Sequence, residues 1–261
     1  MNCVMAAVAV AIGYWASLGS VVFSVPLAFA MVSVFLICGA GQAVNDYFDR
    51  AIDAKIRPSK PIPSGKVKAS TVHYYALALF LVGIVLGYFV NETAFSIALV
   101  YSTALYAYSA VLQRWKYVGN ALVALGTALT LLYGASLSGS YALVLLFALA
   151  VFFANLAREV TKDLEDLRAD MGFKKTLPML LGEKNAKTAV LFYFFLAIFA
   201  AFLPYSMQFI ETIPYLALAT MASLLFAYAG VRCFRGQFKQ SQTMAKAGMI
   251  IGLVAFLSAA F

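Results

Sequence analysis

Two short runs hold eight of the eleven acidic residues of this chain, and their spacing is that of ligands rather than of solvated surface charge. The first reads NDYFDRAID over residues 45–53, the second EVTKDLEDLRAD over residues 159–170. At about 100° per residue, Asn45, Asp46, Asp49 and Asp53 fall within an arc of about 100° if one helix carries them through. Glu159, Asp163, Asp166 and Asp170 fall within about 60° on the same assumption, with Glu165 turned away. Like charges three and four residues apart destabilise a helix, and more so where lipid and protein displace water. Neighbouring Lys and Arg are one source of compensation. A hard divalent cation is the other, and two oxygen-only donor sets with no His or Cys beside them favour it. Magnesium fits because it commonly bridges carboxylates to phosphate oxygens, which implies a phosphorylated substrate.

Each run is followed by a basic, proline- and glycine-bearing string: KIRPSKPIPSGK at residues 55–66 and GFKKTLPMLLGEK at residues 172–184. The loose repetition implies two related halves facing each other, with Lys and Arg gripping phosphate from the loops. Pro58, Pro61, Pro63 and Gly65 forbid a continuous helix in the first string, which is expected to lie over the site as a loop.

These runs must be carried by membrane helices. Of 261 residues, 64% are hydrophobic and 11% charged, and the mean hydropathy is +0.88. Apolar runs long enough for a hydrocarbon core of roughly 30 Å recur along the chain. They predict crossings near 2–17, 24–46, 70–90, 93–112, 118–136, 141–161, 187–207, 212–231 and 243–261. The expectation is an all-α membrane protein: nine transmembrane helices bundled around a central cavity, in two loosely related halves and a single membrane-embedded domain over residues 1–261. All 19 Lys and Arg flank the even-to-odd connections. The positive-inside rule then makes that face, and the site, cytoplasmic, in a multi-pass protein of the cell membrane. Met1 leads almost directly into the first apolar run, so the natural start is expected upstream. Cys3, Cys38 and Cys233 are scattered and His73 is the only histidine, a pattern that argues against a zinc site or a disulfide framework. Tyr101, Tyr106 and Tyr108 lie close together on the fourth crossing, where aromatic faces in a cavity would stabilise a carbocation.

The chain resembles the UbiA superfamily of intramembrane prenyltransferases. The resemblance rests on the Asn45 to Asp53 run with Arg57-Pro and Lys60-Pro behind it, on LQRWKYVGN at residues 112–120, and on the Asp163, Asp166, Asp170 run. Within the superfamily the residue 45–65 string and the REVTKD approach at residues 158–163 are most similar to the archaeal digeranylgeranylglyceryl phosphate synthases. Lys60 departs from the pattern, standing where many relatives have arginine; a lysine gives point-charge rather than bidentate phosphate contact.

The resemblance implies magnesium-dependent transfer of a geranylgeranyl group from geranylgeranyl diphosphate to geranylgeranylglyceryl phosphate, with release of diphosphate. Asn45, Asp46, Asp49, Asp53, Asp163, Asp166 and Asp170 are the expected metal ligands, with Asp46 ligating or supporting. Asp49, Asp53, Asp166 and Asp170 are the expected catalytic set. Arg57, Lys60, Lys116, Lys162 and Arg158 are the expected phosphate-binding cations. The partners are a polyprenyl diphosphate and a lipid acceptor, with no nucleic acid and no obligate protein partner. Two other readings stay open: a family member with an aromatic acceptor such as hydroxybenzoate, naphthoate or haem, and a secondary transporter. A transporter places ionisable groups near the middle of its helices, whereas these acids cluster at helix ends. The glycine-interrupted aspartate string of CDP-alcohol phosphotransferases is not found.

Overall fold

The computed structural model describes residues 2–112 and 114–261, and its described elements are helical. α1 (Asn2–Leu18) is followed by α2 (Val25–Ile56), α3 (Ala69–Val90), α4 (Glu92–Ala107), α5 (Lys116–Ala135) and α6 (Ala142–Glu165). Two short helices come next, α7 (Leu167–Asp170) and α8 (Leu177–Leu181), then α9 (Glu183–Ser206), α10 (Ile213–Phe234) and α11 (Phe238–Leu257). Among the described residues, eight helices are long and apolar enough to cross a membrane, counting α4 with its π-helical extension. α1 is equally apolar but shorter, at 17 residues. The nine expected crossings therefore correspond to eight full spans and one short helix.

α2 decides where the first acidic run sits. Ser24 caps it by accepting from the Leu27 N–H at 3.3 Å, with Pro26 in the first turn. Its 32 residues amount to about 48 Å at 1.5 Å per residue, some three turns more than a hydrocarbon core of about 30 Å. The surplus carries residues 45–53 out at one end. Pro58 then stops the helix, because the residue before a proline is pushed out of the helical region, and Arg57 takes φ −138° and ψ 63°.

α6 behaves differently. The expected stripe assumed one helix through Asp170, but α6 stops at Glu165 and Asp166 bends the chain, with φ −86° and ψ 3°, before α7. The physical reason is electrostatic: Glu165, Asp166 and Asp170 crowd the carbonyl end of a helix, where partial negative charge already accumulates.

α2 packs chiefly on α3, α5 on both α1 and α6, and α6 on α9 and α11, so α5 and α6 stand between the two sides of the bundle. Alanine dominates the buried positions, which permits close helix approach where lipid offers no hydrophobic drive. At Gly134 the approach is closest, since an added Cβ would overlap the backbone carbonyl of Val10 on α1.

Candidate active site

The ends of α2 and α6 converge through two loops. After α4 the chain makes a π-helical turn, Tyr108–Leu112, a feature common at functional sites. It then forms a parallel backbone bridge with the segment after α7. The Lys116 N–H donates to the Lys175 carbonyl at 2.9 Å, and the Lys175 N–H to the Arg114 carbonyl at 2.6 Å. This bridge fixes both Lys116 and the neighbouring Lys174 over the acidic runs.

Three lysines interleave the carboxylates. Lys116 Nζ donates to Asp170 Oδ2 at 2.6 Å and lies 2.9 Å from Asp163 Oδ1. The second contact is a charge pairing without hydrogen-bond direction, so Asp163 Oδ1 counts as buried and unbonded. Asp163 is fully buried, and its other oxygen accepts from Asn120 Nδ2 at 2.6 Å. Lys60 Nζ bridges Asp46 Oδ1 and Asp53 Oδ2, each at 2.8 Å. Partial burial works against the Lys60 ammonium, but the hydrogen bonds and charges of Asp46 and Asp53 prevail and raise its pKa above the usual lysine value. Lys174 Nζ donates to Asp49 Oδ2 at 2.7 Å, and Asn45 Nδ2 to the same oxygen at 3.3 Å. Asp49 Oδ1 is buried without a hydrogen-bond partner.

These groups surround the mouth of a cavity of about 870 Å³. Asn45, Asp49, Asp53, Asp166, Asp170, Arg57, Lys60, Lys116, Arg158 and Lys162 all line it. Asp46 and Asp163 are not among its lining residues: Asp46 is turned one position round α2 from Asn45, and Asp163 lies beneath Lys116 and Asn120. Arg158 pairs with its neighbour Glu159. Deeper, the lining becomes apolar, with Ile97, Leu105, Phe226 and Phe256. Tyr101 and Tyr108 also line the cavity, whereas Tyr106 packs on Phe48 and His73. Tyr101 is seated by its hydrogen bond to the Leu122 carbonyl, 3.1 Å, and by Gly126, where an added Cβ would overlap the phenol.

Among the described residues no three His, Cys, Asp or Glu side chains already stand together as a metal cage. The donor set nevertheless suits magnesium: it is carboxylate and amide oxygen throughout, Asp49 lines the cavity, and its buried Oδ1 has its bonding capacity unspent. The lysine ammoniums supply the positive charge that like-charged carboxylates require in this structure.

Sequence reasoning passed over Lys174 and Asn120 as site residues. The Lys174 signal was present in the second basic string, and the Asn120 signal in the residue 112–120 motif, but neither spacing reveals which carboxylate the side chain meets.

The sequence profile of the UbiA prenyltransferase family matches residues 6–258. A digeranylgeranylglyceryl phosphate synthase from Methanopyrus kandleri is 36% identical over 262 aligned residues, covering 99% of this chain and 95% of that protein. A solved structure described as giving insights into the biosynthesis of digeranylgeranylglyceryl phosphate synthase in membranes superposes with a TM-score of 0.85 at 29% identity, covering 99% and 94% of the two chains. A UbiA homologue from Archaeoglobus fulgidus, bound to GPP and Mg2+, shares the fold at a TM-score of 0.72 and 16% identity, over 100% of this chain and 95% of that one. A multi-pass helical bundle whose acidic helix ends meet above an apolar cavity, and a match that runs from α1 to the end of α11, lead to one assignment: the chain belongs to the UbiA prenyltransferase family.

Proposed function

We propose that this protein transfers a geranylgeranyl group from geranylgeranyl diphosphate to geranylgeranylglyceryl phosphate, as a digeranylgeranylglyceryl phosphate synthase acting as one membrane domain with its site on the cytoplasmic side. The observation that carries the chemistry is a single cavity with both acidic runs at its mouth and an apolar depth below. The name shared by relatives 34–36% identical over 99% of the chain supports the acceptor. The bias of Lys and Arg toward one set of connections supports the sidedness.

Asn45, Asp49 and Asp53 from α2, with Asp166 and Asp170 opposite, would hold magnesium, and Asp46 and Asp163 would support them through Lys60 and Lys116. The binding of GPP and Mg2+ by the Archaeoglobus relative supports a divalent cation and a prenyl diphosphate as the ligands. When bound, magnesium supplies positive charge at the diphosphate. Arg57, Lys60, Lys116 and Lys174 donate to the phosphate oxygens as the allylic carbon–oxygen bond ionises. The cation is stabilised by the faces of Tyr101 and Tyr108, and the acceptor hydroxyl oxygen forms the new ether bond as its proton passes to the released diphosphate. The loop after α2, held down by Lys60, keeps out the water that would otherwise capture the cation. Burying a twenty-carbon chain at about 0.8 kcal/mol per methylene accounts for the apolar depth.

The test is incubation of the purified protein with magnesium, geranylgeranyl diphosphate and each candidate acceptor, followed by mass analysis. The doubly prenylated glycerol phosphate is expected as the product, and it should be lost in Asp49→Ala and Asp166→Ala proteins that remain folded. Product from an aromatic acceptor alone, or full activity in those variants, would refute the proposal.

A further inference from the structure

The cations of the cavity mouth divide into two sets. Lys60, Lys116 and Lys174 are each tied to the carboxylates. On α6 and α11 a second set, Arg158, Lys162 and Lys246, lines the same cavity. Lys162 and Lys246 make no ion pair among the described residues, and Arg158 meets only its neighbour Glu159.

The register of the two helices places these charges together. Gln242, in the second turn of α11, donates to Glu165 in the last turn of α6, so the pair runs antiparallel from that contact inward. At 1.5 Å per residue, Lys246 lies about 6 Å below Gln242, between Lys162 at about 4.5 Å and Arg158 at about 10.5 Å below Glu165. Of the α6 carboxylates near this level, Glu165 is already engaged by Gln242 and Glu159, which also lines the cavity, by Arg158. A lysine two turns inside a membrane helix is costly without a partner. One that merely snorkels presents its charge along lipid, whereas Lys246, although exposed, also lines the cavity.

Two phosphate-bearing substrates need two anion sites, because a diphosphate and a phosphate monoester at one set of cations would repel. We infer that Arg158, Lys162 and Lys246 form the subsite for the phosphate monoester of the lipid acceptor, separate from the carboxylate-rich donor site. The forked Arg158 guanidinium suits two phosphate oxygens, and the lysines add charge. Lys246 is thereby a specificity residue: it distinguishes a phosphorylated glycerol lipid from an uncharged one. This rests on the proposed reaction.

The experiment compares geranylgeranylglyceryl phosphate with geranylgeranylglycerol as acceptors in wild-type protein, Lys246→Gln, Lys246→Arg and Arg158→Gln. Wild-type protein should favour the phosphorylated acceptor by tenfold or more in kcat/KM. Lys246→Gln and Arg158→Gln should shrink that ratio at least fivefold with the donor KM within twofold of wild type, and Lys246→Arg should keep the ratio. An unchanged ratio in Lys246→Gln, or an equal rise in donor KM, would overturn the inference. Inorganic phosphate that competes in wild type but not in Lys246→Gln, with the acceptor ratio fixed, would assign the site to free phosphate and overturn the headgroup reading. A wild-type protein that uses neither lipid would overturn the proposed reaction itself, and this inference with it.

Discussion

Lys174 and Asp49 meet at 2.7 Å across a separation of 125 residues, joining the loop behind the second acidic run to the centre of the first. Asp49 is only 5% exposed, and Lys174 and the Asn45 amide are the groups that donate to it. Lys174→Met is expected to raise the donor KM about tenfold, equivalent to about 1.4 kcal/mol of binding. Steady-state kinetics at saturating acceptor would measure it; an unaltered donor KM would remove Lys174 from the site.

Lys116 stands between Asp163 and Asp170 at 2.9 and 2.6 Å. Its removal leaves the fully buried Asp163 with an uncompensated charge, a situation that costs about 3–5 kcal/mol in buried pairs. Lys116→Ala should lower the thermal unfolding midpoint in detergent. Adding Asp163→Asn should recover part of the loss, because the orphaned charge goes with it. Additive losses in the double variant would contradict the pairing.

The Lys60 bridge makes a prediction in pH. The group's pKa is raised on folding by Asp46 and Asp53, which outweigh partial burial. A raised lysine pKa adds stability that is fully present below the unfolded value of about 10.5 and fades as pH climbs through the higher folded value. Protease cleavage within residues 57–68 should therefore stay slow and constant below about pH 10.5 and accelerate above it. In Lys60→Met cleavage should be fast throughout; a wild-type acceleration already near neutral pH would contradict the bridge.

Gly126 gives the cavity its shape, since a methyl group there would displace the Tyr101 ring. Gly126→Ala should destabilise the protein by about 1–3 kcal/mol, the usual cost of overpacking, and weaken prenyl diphosphate binding. Thermal unfolding with and without donor would show both effects. Wild-type stability and an undiminished donor-induced shift would mean that the Tyr101 seat does not shape the cavity.

The helices were legible because lipid demands long apolar runs, and the first acidic stripe because α2 simply continues through it to Ile56. The second run is legible as a cluster but not as one helix, since periodicity takes a helix as unbroken and does not register the bend at Asp166 between α6 and α7. Lys116 was legible from its position beside a loop, whereas Lys174 and Asn120 were not. Their roles come from a two-residue backbone bridge between Trp115 and Lys175, and long-range pairing of that kind leaves no local pattern. The same holds for Lys246, whose place opposite Lys162 depends on the register of α11 against α6.

The central claim is that both acidic runs act together on a divalent cation and a prenyl diphosphate. It is tested most directly by following product and released diphosphate from geranylgeranyl diphosphate and geranylgeranylglyceryl phosphate while metal is removed by a strong chelator and then restored. Equal amounts of product and diphosphate, falling to background on chelation and returning with magnesium, are the expected result. Turnover that continues undiminished without metal would contradict the claim.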